Sequence, residues 1–206
     1  HKVMEQKFVE TIKIKDGKVM GLPYHQERME RTIHHFFPQV TEETMPSLAG
    51  LLAPKDDMAF YKARVVYGAQ GVETIEYAPY SMREIRSLQV VECDDIDYTY
   101  KSCDRTALNN LVARKGNYDE IIIVKNGLVT DTSFTNIAIF DGKSWLTPKH
   151  PLLKGTKRAA LLEQGMIQEA DITLADLKAA KKVCLFNAMI EFGERVVNAS
   201  DIHESF

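Results

Sequence analysis

The stretch Tyr100 to Asn136 reads YKSCDRTALNNLVARKGNYDEIIIVKNGLVTDTSFTN, and its punctuation decides the fold. Lys101 stands just before a segment, roughly Asp104 to Lys115, with Leu108, Leu111 and Val112 at helical spacing, so a short amphipathic helix is expected. Ile121 to Val124 is an unbroken apolar run, the pattern of a buried strand. Asn126-Gly127 then supplies the backbone that a two-residue hairpin turn requires. Leu128 to Thr130 returns from that turn and delivers Asp131, Thr132 and Ser133 at the strand's end. One helix and one hairpin are about enough to bring the chain from Lys101 back to its starting neighbourhood. The remaining sequence reads as a frame that holds these two ends close.

Working outward, Phe8 to Ile14 has the β-branched content of a strand, and Asp16-Gly17 is a hairpin turn into Lys18 to Met20. Pro23 suits the first turn of a helix, where its missing N–H costs nothing. That helix carries Met29, Ile33 and Phe36 on one side, sets Glu27, Arg28, Glu30 and Arg31 mainly on others, and stops at Pro38. A second helix is expected from Glu42 to Leu52, bounded by Pro54, followed by a hairpin of Phe60 to Tyr67 and Val72 to Tyr77 and a short strand at Leu88 to Glu92. Beyond the central stretch, Phe134 to Phe140 and Lys143 to Leu146 form another hairpin across Asp141-Gly142, and the loop TPKHPLLKG leads into a helix opening at Gly155 or Thr156. Lys182 to Phe186 and Glu194 to Val197 complete the strands. Strands with helices set aside imply an α+β protein, divided into an N-terminal domain over residues 1–80 and a C-terminal domain over 87–206, with linker and cleft near 79–86.

Hydrophobic residues make up 45% of the 206 positions against 27% charged, the balance of a globular chain with a sizeable core. A formal net charge of -3 argues against a nucleic-acid partner, which calls for a basic surface. No apolar run is long enough to span a membrane and no N-terminal signal is visible, so a cytoplasmic location is expected, with Met4 as the native start. Cys93, Cys103 and Cys184 lack paired spacing and read as reduced and structural, with a reactive thiol at Cys103 as the lesser reading. The six histidines show no metal-ligand spacing, and no metal is expected.

A lysine among neutral or cationic neighbours has a depressed pKa and can form a Schiff base with a carbonyl compound. Lys101 taken alone is more often a solvated surface residue. Gly155-Thr156 opens a helix after a flexible loop, offering N–H groups, a hydroxyl and a helix dipole to an anion, or simply a helix cap. Arg64 lies mid-strand among apolar neighbours, where a charge is unusual unless it meets an anion or faces solvent.

Six segments then carry a family resemblance: FVETIKIKDGKVMGLPYHQERMERT, ARVVYG, YKSCDRTALNN, DEIIIVKNGLVTDTSFTNIAIFDG, LLKGTKRAALLE and LFNAMIEF. Together they resemble the class IV aminotransferases, fold-type IV enzymes that use pyridoxal 5'-phosphate (PLP) and include branched-chain and D-amino acid aminotransferases and aminodeoxychorismate lyase. The resemblance implies two small α/β domains and a homodimer. It also implies that Lys101 holds the cofactor and moves the substrate proton, while Asp131 pairs with the pyridine nitrogen. Arg64 and Thr156 would bind the phosphate, assisted by the backbone at Gly155 and the Asn187-Ala188 turn, with Ser133 and Asn136 lining the cofactor's side.

Two departures stand out. The family usually carries glutamate where this chain has Asp131, one methylene shorter. Its members also usually carry some twenty or more residues before the segment matching FVETIKIKDG, against seven here, so a partner subunit is expected to supply part of the substrate carboxylate site. Asn187-Ala188-Met189 resembles the lyases more than the threonine-rich turn of branched-chain transaminases, which favours conversion of 4-amino-4-deoxychorismate to 4-aminobenzoate and pyruvate. The alternatives are a transaminase acting on a D-amino acid or branched-chain substrate, and a non-catalytic PLP-binding relative.

Overall fold

A computed structural model describes residues 5–55 and 59–204; the expected start at Met4 lies outside them. The chain divides into two compact units, His1–Ser81 with Tyr100–Asp104, and Met82–Thr99 with Arg105–Phe206.

In the first unit, β1 (Phe8–Lys15), β2 (Lys18–Val19), β3 (Phe60–Gly68) and β4 (Gly71–Pro79) form an antiparallel sheet in the order β2-β1-β3-β4. Asp16 and Gly17 turn the first hairpin at φ 50° and 75°, left-handed values that glycine takes without steric cost. Helix α1 (Leu22–Phe36) follows, with Pro23 in its first turn. Alternate residues Phe8, Ile12 and Ile14 of β1 and Tyr61, Ala63, Val65 and Tyr67 of β3 pack with Met29 and Ile33 of α1 into one core. Met29, at 0% exposure, alone contributes about 2 kcal/mol by this burial.

The expected helix from Glu42 to Leu52 shrinks to α2 (Leu48–Leu51). Pro46 has no N–H to offer a longer helix, Thr41 and Thr44 close a local turn, and Ser47 accepts from Gly50 N as the cap. Arg28, assigned to an outer face by its spacing, is instead buried at 7% exposure.

In the second unit, β5 (Leu88–Glu92) pairs in parallel with β6 (Glu120–Lys125), and α3 (Thr106–Val112) lies between them in sequence. Asn126 and Gly127, at φ 52° and 79°, turn β6 into β7 (Leu128–Val129), with Leu108, Leu111, Ile121 and Ile123 in one cluster. The order of this sheet is β13-β5-β6-β7, with β13 (Ile202–His203) parallel to β5. A second sheet joins β8 (Asn136–Phe140), β9 (Trp145–Pro148), β10 (Gln168–Ala170), β11 (Lys182–Phe186) and β12 (Arg195–Asn198) in the order β10-β9-β8-β11-β12. Strand β8 starts two residues later than expected, because Thr132 N–H donates to Thr135 O and bends the chain first. Helices α4 (Thr156–Glu163) and α5 (Leu174–Ala179) complete the unit; β10 and α5 gave no clear periodic signal. Among the described residues no helix is long and apolar enough to cross a membrane. Nor is any group of three His, Cys, Asp or Glu side chains placed to hold a metal ion.

Candidate active site

In the first unit the backbone of Lys101 joins the sheet. Strand β2 covers only the far end of β1, which leaves the edge at Phe8 and Val9 open for another partner. Val9 N–H donates to Lys101 O at 3.0 Å, Cys103 N–H donates to Lys7 O at 2.9 Å, and Phe8 bridges Ser102 between them. Lys101 is thereby fixed opposite Val9, half-buried. Arg64, on β3, is opposite Thr11 on one side and Glu76 on the other, also half-buried.

A buried charged cluster on the α1 side was not foreseen. Glu10, at 0% exposure, accepts from Arg28 through two bonds of 2.8 Å, Nε to Oε2 and Nη2 to Oε1. His25 Nδ1 meets Glu10 Oε1 at 2.6 Å. Burial alone would raise the Glu10 pKa, but the Arg28 charge and the bonds from His25 and Arg28 prevail and hold it at about 2. Burial pushes the His25 pKa down against the opposing bond to Glu10, so the imidazole is neutral and its Nδ1–H is the donor. The charge of Lys101 adds to that depression. The signal for this cluster was a glutamate at a core-facing strand position, two residues after Phe8 and two before Ile12.

In the second unit, Asp131 follows the β6–β7 hairpin and is held by Ile123 N–H donating to its carbonyl at 2.9 Å. Its carboxyl is 3% exposed; Oδ2 accepts from Leu153 N–H at 3.2 Å, while Oδ1 has no partner among the described residues. Burial pushes its pKa up to about 7, against the opposing Leu153 N–H, the Thr130 hydroxyl, the Leu152 N–H and the Arg158 charge. A bare buried carboxylate oxygen is what a protonated pyridine nitrogen would complete, so the residues present fit PLP.

Asn136 bridges to the same loop. Its Nδ2 donates to Leu153 O at 2.9 Å and its Oδ1 accepts from Gly155 N–H at 3.1 Å. Gly155 precedes α4, whose N-terminus has no side-chain cap, and Thr156 opens the helix at 7% exposure. Ser133 is committed within the fold: its hydroxyl donates to Glu120 Oε1 at 2.8 Å, its N–H to Oε2 at 3.2 Å, and its carbonyl accepts from Arg105. Asn187 Nδ2 donates to Phe134 O at 3.0 Å while Oδ1 accepts from the N–H groups of Met189 and Ile190 at 2.9 Å, shaping the turn that carries Ala188. Asp131, Asn136, Gly155 and Thr156 are thus tied together through the 153–155 loop, and Asn187 reaches the chain between Asp131 and Asn136 at Phe134 O.

Residues 7–194 match the family model described as amino-transferase class IV. The chain belongs to the class IV aminotransferase family. An uncharacterised Haemophilus influenzae protein is 38% identical over 182 residues, covering 87% of this chain and 96% of its own length. A crystal structure of a candidate 4-amino-4-deoxychorismate lyase from Haemophilus somnus superposes with TM-score 0.78 at 33% identity, over 92% of this chain and 100% of that one. A hypothetical aminotransferase from Mycobacterium tuberculosis, solved in a PLP-bound form, shares the fold at TM-score 0.71 and 17% identity, over 97% of this chain and 84% of that one. The mixture of helices and sheets expected from the sequence is the fold of this class IV chain.

Proposed function

We propose that this class IV enzyme is a PLP-dependent lyase that converts 4-amino-4-deoxychorismate to 4-aminobenzoate and pyruvate. The observation that carries the cofactor is the buried, unpartnered Oδ1 of Asp131. What supports the lyase over a transaminase is the likeness to the Haemophilus somnus protein, together with Asn187-Ala188-Met189.

Bound PLP supplies an electron sink for the charge left when a C–H bond beside the substrate nitrogen breaks. Lys101 holds the cofactor through its Nζ and then serves as the base that takes the substrate proton. As that proton leaves, the C–O bond to the enolpyruvyl group breaks and the ring becomes aromatic. The proton returned to the departing enolpyruvate completes pyruvate, so atoms balance without an oxidant or reductant. Asp131 keeps a negative charge opposite the ring nitrogen through Oδ1. Thr156 at the start of α4 takes the phosphate with the Asn187-Ala188 turn. Arg64 takes an anionic group as well; its backbone is held in the sheet, while among the described residues its guanidinium makes no hydrogen bond or ion pair. Asp131 is one methylene shorter than the family's glutamate and would hold the nitrogen directly or through a water. A cytoplasmic homodimer is part of the same reading.

Incubating purified protein with PLP and 4-amino-4-deoxychorismate tests this. Release of 4-aminobenzoate with an equal amount of pyruvate is expected; amino-group transfer to 2-oxoglutarate without 4-aminobenzoate would make it a transaminase.

A further inference from the structure

We infer that Asn136 is a positioning residue, whose carboxamide clamps the Leu153–Gly155 loop so that the Leu153 N–H stays aimed at the Asp131 carboxylate. The inference rests on the reading of Asp131 as the cofactor's partner, and it moves Asn136 from lining the cofactor to shaping what faces it.

The orientation of the carboxamide is unambiguous. Leu153 O can only accept and Gly155 N–H can only donate, so Nδ2 must face the first and Oδ1 the second. Asn136 opens strand β8, which is flanked on both sides by β9 and β11, and is 5% exposed, so the clamp stands on a rigid base. The loop it grips has no such support. Residues 149–155 form neither helix nor strand, and Pro151 offers no N–H there.

Gly155 explains itself by the same contact. Its φ of -70° is open to any residue, so backbone freedom does not call for glycine. A Cβ there would stand 2.3 Å from Asn136 Oδ1, a separation no side chain tolerates. Glycine therefore lets the loop approach Asn136 closely enough for the clamp to close. Leu153 is gripped by its carbonyl while its own N–H points to Asp131 Oδ2, so one peptide segment links the clamp to the carboxylate. Loosening the grip withdraws the donor that favours the charged carboxylate.

The test reads Asp131 directly in the protein without cofactor, by carbon-13 NMR of labelled aspartate through a pH titration. The wild-type midpoint is expected near the value of about 7 set by burial. Asn136→Ala and Gly155→Ala should both move it upward and weaken PLP binding roughly tenfold, the loss expected when a hydrogen bond to a charged group is removed. Thr147→Val, which removes a buried 2.7 Å bond to the adjacent Ile137 O without touching the bonds from Asn136 to Leu153 and Gly155, should leave the midpoint in place. Asn136→Ser, whose single short hydroxyl cannot bond Leu153 O and Gly155 N–H at once, carries the same expectation should the alanine variant not fold. An unmoved midpoint in the folded Asn136 and Gly155 variants overturns the clamp, as does an equal shift in Thr147→Val. Because the titration needs no cofactor, a failed clamp leaves the PLP reading intact, and a protein that binds no PLP can still show the clamp.

Discussion

Leu153 N–H donates to Asp131 Oδ2 over 3.2 Å, while Oδ1 of the same carboxylate has no hydrogen-bond partner among the described residues. A carboxylate so sparsely served is poised for a cationic partner and costly without one. Its pKa stands at about 7 when folded, against 3.8 as an ordinary aspartate. Between those values the folded chain holds a proton that the unfolded chain has lost, so stability falls as pH rises from about 4 to about 7 and then levels. The span corresponds to on the order of 4 kcal/mol. Asp131→Asn should flatten this slope, and cofactor-free Asp131→Asn should exceed the wild type in stability at pH 8. Urea unfolding at pH 5 and pH 8 checks it; parallel slopes for the two proteins would contradict the burial argument.

Glu10 works in the opposite sense. Its pKa is held at about 2 against an ordinary 4.5, so its contribution is complete above 4.5 and is lost as pH falls towards 2. Glu10→Gln leaves Arg28 charged and buried without its carboxylate, at an expected cost of about 3–5 kcal/mol. A loss below about 1 kcal/mol in urea unfolding at pH 7 would show that Arg28 finds another anion.

Lys101→Ala should abolish turnover while shifting the unfolding midpoint little. The bond that ties this segment to β1 uses the Lys101 carbonyl, which alanine also supplies. Thermal unfolding followed beside the 4-aminobenzoate assay separates the two effects. Retained turnover would mean that another lysine does the chemistry.

The central stretch was legible because each of its signals is local. Asn126-Gly127 dictates its own turn, Ile121 to Val124 dictates a strand, and Leu108 and Leu111 dictate a helical face. What escaped depends on partners distant in sequence. Arg28 looked like a solvated helix charge because its partner Glu10 is eighteen residues away on another element. The helix expected over Glu42 to Leu52 failed at Pro46, whose missing N–H and ring break a helix from within. Lys101 was legible as a lysine before a helix, but its attachment to the edge of β1 needed the pairing between Phe8 and Ser102. Asn136 was recognised as a site residue, yet its grip on Leu153 and Gly155 spans up to nineteen positions and leaves no periodic trace.

The most direct measurement is peptide mapping by mass spectrometry after the protein is loaded with PLP and reduced with borohydride, which fixes the cofactor to the lysine that holds it. The expected result is a yellow protein that bleaches on reduction, with the modification on the peptide bearing Lys101. A colourless protein with no modified peptide, or a label on a different lysine, would contradict the assignment of Lys101 to the cofactor.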